Sequence, residues 1–217
     1  MSIRKMNIDG ANVCNNTQHL KAIVDAYALK VKDYLVMGWD GYIFTVMFHH
    51  LSGPRDTKLV QMNQEVERIY NRLGTRMVRN PRSPKWTGHL PVGIFIPDLP
   101  VPKSRNGKKS TIADVSINDG LHIHGILLAN RWGRIRQRLE DYFERNVDHF
   151  ATGRVRSIHV EPITYRPEKA VRYVFKSLLR RTATPDDVRV LNWGGSAHRP
   201  DIIREALRKF LKQGRTF

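Results

Sequence analysis

Two short segments carry residue types and spacings suited to phosphate chemistry. In the first, LHIHGILL at 121–128, His122 and His124 stand two apart in an apolar run. On a β-strand, residues i and i+2 point to the same face, so the two imidazoles would converge. Converging imidazoles are good divalent-metal ligands, and a metal beside a phosphodiester is a route to cleaving it. The second is PEKAVRYVFKSLLRR at 167–181. At helical spacing, Val171, Val174, Phe175, Leu178 and Leu179 form one apolar stripe, while Lys169, Tyr173, Lys176 and Arg180 gather opposite. A tyrosine among cations is a candidate nucleophile toward phosphorus, and the cations would draw a phosphate to it.

Neither pattern is specific alone. Chance readily supplies a His-x-His in a chain with nine His among 217 residues. A second Tyr-x-x-Lys also exists, Tyr27-Ala-Leu-Lys30. Helical phase separates the two: Tyr27 falls within the stripe of Leu20, Ile23, Val24 and Val31, which predicts a core position.

Composition points the same way. The chain has 37 Lys+Arg against 20 Asp+Glu, a net charge of +17, the footprint of a protein that meets a polyanion. Its 41% hydrophobic content suits a folded domain rather than a basic tail. The single Cys14 excludes an intramolecular disulfide and a Cys-rich zinc module. No apolar run reaches a membrane span and the polar start lacks a signal-peptide core, so the expected location is the cytoplasm.

Elements must position the chemistry. A helix is predicted over 17–36, capped by Asn16 or Thr17, and a strand over 42–48 (YIFTVMF). A helix runs from a cap at Asp56 or Thr57 to Met77, and a strand covers 90–96. Residues 97–119, with a KSRNGKK cluster holding Lys108 and Lys109, read as a long exposed hairpin loop. The His-x-His strand follows, then a helix over 132–147, a strand over 154–163 and the helix over 167–181. Residues 182–199 read as irregular or briefly helical, and Pro200 opens a last helix to about Lys212. The expectation is one α+β domain over 1–217, helices packed on an antiparallel sheet. NGKKST at 106–111 is no phosphate-binding loop, because Pro102 stands where its first glycine is needed. Trp86, Trp132 and Trp193 could each stack on bases, but aromatic core packing is the expected role of any one of them.

A strand reading YIFTVMF, a His-hydrophobe-His strand and an amphipathic helix with Tyr-x-x-Lys together resemble the HUH endonucleases. With His122 and His124 upstream of Tyr173, the order is similar to that of rolling-circle replication initiators. The resemblance covers about 42–181 and implies a ferredoxin-like (RRM-like) palm, with the helices at 17–36 and 200–213 as additions. It implies a metal-dependent enzyme that nicks and joins single-stranded or hairpin DNA at an origin of a plasmid or phage. Tyr173 would form a 5′-phosphotyrosine link, Lys176 would assist it, and Mg²⁺ or Mn²⁺ would sit on His122, His124 and one further ligand. For that ligand Asp98 is preferred and His89 stands second; Asp114, Asp119, His49 and His50 are also near. Lys169, Arg172, Arg180, Lys108 and Lys109 would contact DNA, and a separate host helicase would be a partner. Position 177 is Ser, where two-tyrosine initiators carry a second Tyr, which argues for a single nucleophile. A transposase of the same superfamily, or a non-catalytic DNA- or RNA-binding module with packed histidines, are the other readings.

Overall fold

The computed structural model describes residues 9–99 and 117–192. Five antiparallel strands form one sheet in the order β4-β1-β3-β2-β5. They are β1 (Asp40–Phe48), β2 (Val92–Asp98), β3 (His122–Ala129), β4 (Val155–Pro162) and β5 (Arg189–Asn192). The helices are α1 (Asp9–Val36), α2 (Arg55–Met77), α3 (Leu139–Arg145), α4 (Val147–Phe150), α5 (Pro167–Val174) and α6 (Lys176–Leu179). The architecture is α+β with helices on both faces of the sheet, consistent with a ferredoxin-like palm. Among the described residues, no helix is long and apolar enough to cross a membrane.

Strand alternation sorts the sheet into two apolar faces. Tyr42, Phe44, Val46 and Phe48 of β1 join Phe95, Ile123 and Leu127 against α2, α3 and α4. Val92, Ile94, Ile96, Ile126 and Leu128 face α1, α5 and α6 instead. The central strands β2 and β3 are buried along their whole length. The Phe95 ring lies over two glycines of this pair. A Cβ on Gly93 or on Gly125 would come within 2.3 Å of it, so both positions require the absent side chain. Tyr27 is buried as its phase predicts and stacks on Phe175, with ring centroids 4.7 Å apart. Burial pushes its phenol well above its ordinary pKa, which removes it as a nucleophile.

Several boundaries differ from the sequence reading. Helix α1 extends back to Asp9, so Asn16 and Thr17 lie inside it rather than capping it. Helix α2 begins at Arg55 with Pro54 as its cap, leaving Asp56 in the first turn. The helix expected from 132 begins at Leu139. The Arg134 N–H donates to the Met77 carbonyl at 2.7 Å, and this long-range bond holds residues 131–138 as a connector. Helix 167–181 is interrupted at Phe175, although the Phe175 and Leu179 N–H groups still reach the Val171 and Phe175 carbonyls at 2.9 and 3.1 Å. Within 182–199, read as irregular or briefly helical, Pro185–Asp187 form a 3₁₀ turn and Arg189–Asn192 form edge strand β5. Most of the expected 97–119 loop, with Lys108 and Lys109, and the helix at 200–213 lie outside the described residues.

Candidate metal centre and nucleophile

The register of β2 on β3 builds the site. Asp98 pairs directly with His122, and Ile96 with His124, so all four side chains share one face. On the other side of β3, Thr45 of β1 is the partner of His124. His122 Nε2 and His124 Nε2 lie 3.1 Å apart, and Asp98 Oδ2 is 3.5 Å from each. Asp98, His122 and His124 are the metal-capable group of three among the described residues, and all three are buried.

Hydrogen bonds behind the rings set their tautomers. His122 Nδ1 lies 2.8 Å from the Gly120 carbonyl, which can only accept, so Nδ1 carries the proton and Nε2 is bare. His124 Nδ1 lies 2.9 Å from Thr45 Oγ1; donation to that hydroxyl leaves His124 Nε2 bare as well. Two lone pairs and a buried carboxylate, whose Oδ2 also meets the Lys176 ammonium at 2.7 Å, then face one another. The donor set suits a metal cation. A divalent ion about 2.0–2.2 Å from nitrogen and oxygen donors sets adjacent donors roughly 3.0–3.5 Å apart, which the observed spacings match. Burial, with the charge of Lys176 adding to it, lowers the pKa of both rings, that of His124 to about 3, where the neighbouring His122 also contributes. Both imidazoles are therefore neutral at pH 7, the form that ligates metal.

The loop before β3 supplies the Gly120 carbonyl. Asn118 and Asp119 adopt left-handed conformations at φ 54° and 55°, followed by Gly120 at 73°. Asn118 is buried and pinned from both sides: it accepts from the Leu51 N–H at 2.7 Å and donates to the His49 carbonyl at 2.8 Å. Short polar side chains tolerate this conformation by such local bonding.

Helix α5 brings Tyr173 to the cluster. Its ring is half exposed, with its centroid 5.4 Å from that of His124. Lys176 Nζ lies 4.6 Å from the tyrosine ring centroid and 2.7 Å from Asp98 Oδ2. It is thus a largely covered cation between the tyrosine ring and the carboxylate, rather than a surface cation on the same face as Lys169. Lys169, Arg172 and Arg180 are all exposed, and Arg172 also meets Asp25 of α1 at 3.1 Å. Ser177, at the second-tyrosine position of the resemblance, is buried.

The alternative ligands fall elsewhere. His89 ends a 3₁₀ turn (Pro84–His89) and packs edge-on to Trp86, outside the cluster. Asp119 is paired with Lys58 at 3.3 Å, and His49 and His50 are exposed. Asp114 lies outside the described residues. Thr45 and Asn118 were not anticipated, although both left a trace. Thr45 is the lone polar residue within YIFTVMF, and Asn118-Asp119-Gly120 is a turn sequence set directly before the histidine strand. No protein-family model matches the chain, and neither do curated proteins or solved structures.

Proposed function

We propose that the protein is a metal-dependent, single-tyrosine nicking and joining endonuclease of the HUH type, acting on single-stranded DNA to initiate rolling-circle replication. The observation that carries this reading is the placement of the Tyr173 ring beside His124 in the buried Asp98–His122–His124 group. A nucleophile and a metal site must share one phosphate, and this arrangement allows it.

Asp98, His122 and His124 would hold Mg²⁺ or Mn²⁺. When bound, the ion would polarise the scissile phosphate and offset its developing charge. The Tyr173 phenol oxygen attacks phosphorus and loses its proton, the P–O3′ bond breaks, and the departing oxygen takes up a proton. The products are a 5′-phosphotyrosine and a free 3′-OH that a polymerase can extend. Lys176 holds a positive charge beside the tyrosine ring throughout. Rejoining is the same step reversed, with a 3′-OH as the nucleophile.

The test uses labelled single-stranded oligonucleotides bearing origin or hairpin sequences, incubated with the protein and Mn²⁺. The expected product is an SDS-stable adduct, absent with EDTA and absent in Tyr173→Phe. An adduct that survives Tyr173→Phe excludes this nucleophile. No adduct on any such sequence favours a binding module in which the histidines only pack.

A further inference from the structure

A groove of about 600 Å³ opens at the end of the sheet where β1 begins and β4 ends. Trp39, Tyr165, Asp40, Arg131, Arg138 and Pro167 line it. None of the metal-cluster residues does. The groove is nevertheless joined to the site along α5, because Pro167 is its wall and Tyr173 lies six residues on, about 9 Å along a helix axis. His159 and Glu161, exposed on β4 opposite Thr45 and Ile43, line the open strip of sheet between the two.

The lining favours a base over a phosphate. Tyr165 is 76% exposed, a large ring face left in solvent. The groove's two arginines are already neutralised, Arg131 by Asp40 at 2.7 Å and Arg138 by Glu140 at 2.5 Å. Paired ions offer donors and acceptors with little net charge, which suits a heteroaromatic edge better than an anion. A further cation borders it: Arg136 lines an adjoining hollow together with Asp40, Arg131 and Arg138. In the connector 131–138, Arg134 and Arg136 are exposed and have no carboxylate partner among the described residues. Trp132 on the same connector is 76% exposed, against the sequence expectation of core packing.

We propose that this groove binds a nucleobase of the single-stranded DNA substrate. Tyr165 stacks on the base, the Arg131–Asp40 pair and Arg138 contact its edge, and Arg136 holds a neighbouring phosphate. The assignment rests on the reading of the protein as a single-strand DNA enzyme, and it places the bound base within a few nucleotides of the scissile phosphate.

Binding can be measured apart from chemistry, with full-length Tyr173→Phe protein, EDTA and a fluorescein-labelled random-sequence DNA pool about 16 nucleotides long. Adding Tyr165→Ala should weaken binding on the order of tenfold without changing the salt dependence, as loss of one stacked base does. Arg136→Ala should weaken it too and lower the log–log salt slope by about 0.7. Lys21→Ala, an exposed charge on α1 away from the groove, should stay within about twofold. Binding by Tyr165→Ala equal to the parent, or an equal loss in Lys21→Ala, overturns the assignment. The covalent-adduct assay on wild-type protein is separate. Adduct formation with no effect of Tyr165→Ala removes the groove and keeps the enzyme, while the reverse pattern keeps the groove and removes the enzyme.

Discussion

Lys176 sets its ammonium 2.7 Å from Asp98 Oδ2, at the carboxylate that also faces both imidazoles. The carboxylate is 1% exposed, so its charge is met in the metal-free protein chiefly by this one side chain. The lysine therefore plays two opposed parts. It stabilises the empty site, and it repels a second cation that would ligate the same oxygen.

Lys176→Gln should separate those parts. Removing one partner of a buried ion pair destabilises the metal-free protein by about 3 kcal/mol, lowering Tm in EDTA. Mn²⁺ affinity should rise on the order of tenfold, since a like charge near the site is gone. Calorimetric titration with Mn²⁺ and thermal melts in EDTA read the two effects. Weaker Mn²⁺ binding in the variant would mean that Lys176 organises the ligands rather than competing with the ion.

The buried histidines predict an acid-labile metal-free fold. The pKa of His124 drops from 6.5 to about 3 on folding, and that of His122 drops as well, burial being the main cause in each case. A lowered histidine pKa means that the unfolded chain binds more protons, so stability rises with pH between the two values. Above pH 6.5 the histidines contribute no pH dependence. Below it each removes up to about 1.4 kcal/mol per pH unit until its folded pKa is reached. Urea denaturation in EDTA from pH 7 to pH 5 should show this loss, and His124→Gln should flatten the slope. A slope unchanged in His124→Gln would exclude its burial as the source.

Asn118 governs where His122 points. Asn118→Ala removes two hydrogen bonds, one buried and one part-buried, and places a less tolerant residue at φ 54°. The expected cost is about 2–4 kcal/mol, with metal affinity lowered about 10- to 100-fold as for other residues that orient a ligand from behind. Asn118→Gly keeps the backbone freedom and loses only the bonds, so it should be less destabilised than Asn118→Ala. Equal stability of the two variants would show that the left-handed backbone contributes nothing.

Much of this site was legible because its parts are local. Period-2 spacing placed His122 and His124 together, and helical phase put Tyr27 in the core and Tyr173 at the surface. Its place at the end of the 90–96 strand favours Asp98 over His89, but only the β2–β3 register, which no local pattern encodes, sets it directly opposite His122. The connector at 131–138 was misread as helix because its charged and apolar residues mimic amphipathic spacing. What overrides that spacing is a distant partner, the Met77 carbonyl, which captures the Arg134 N–H. Strand β5 is four residues long, too short for alternation to register, and only its pairing with β2 defines it.

Metal binding should be visible as stability, independent of any catalysis. Ligands that bind only the folded state stabilise it by about 2.7 kcal/mol at a concentration 100 times Kd. Mn²⁺ should therefore raise the Tm of the wild-type protein over EDTA by several degrees. Asp98→Asn keeps the shape of the side chain but removes its charge, and His124→Ala removes a ligand outright; both should abolish the shift. The metal-free stabilities of these variants will differ, since Asp98→Asn also leaves Lys176 without its carboxylate. The diagnostic is thus the difference between Mn²⁺ and EDTA within each variant. A wild-type Tm unmoved by Mn²⁺, Mg²⁺ or any other divalent ion would leave the cluster as a packed polar group stabilised by Lys176 alone.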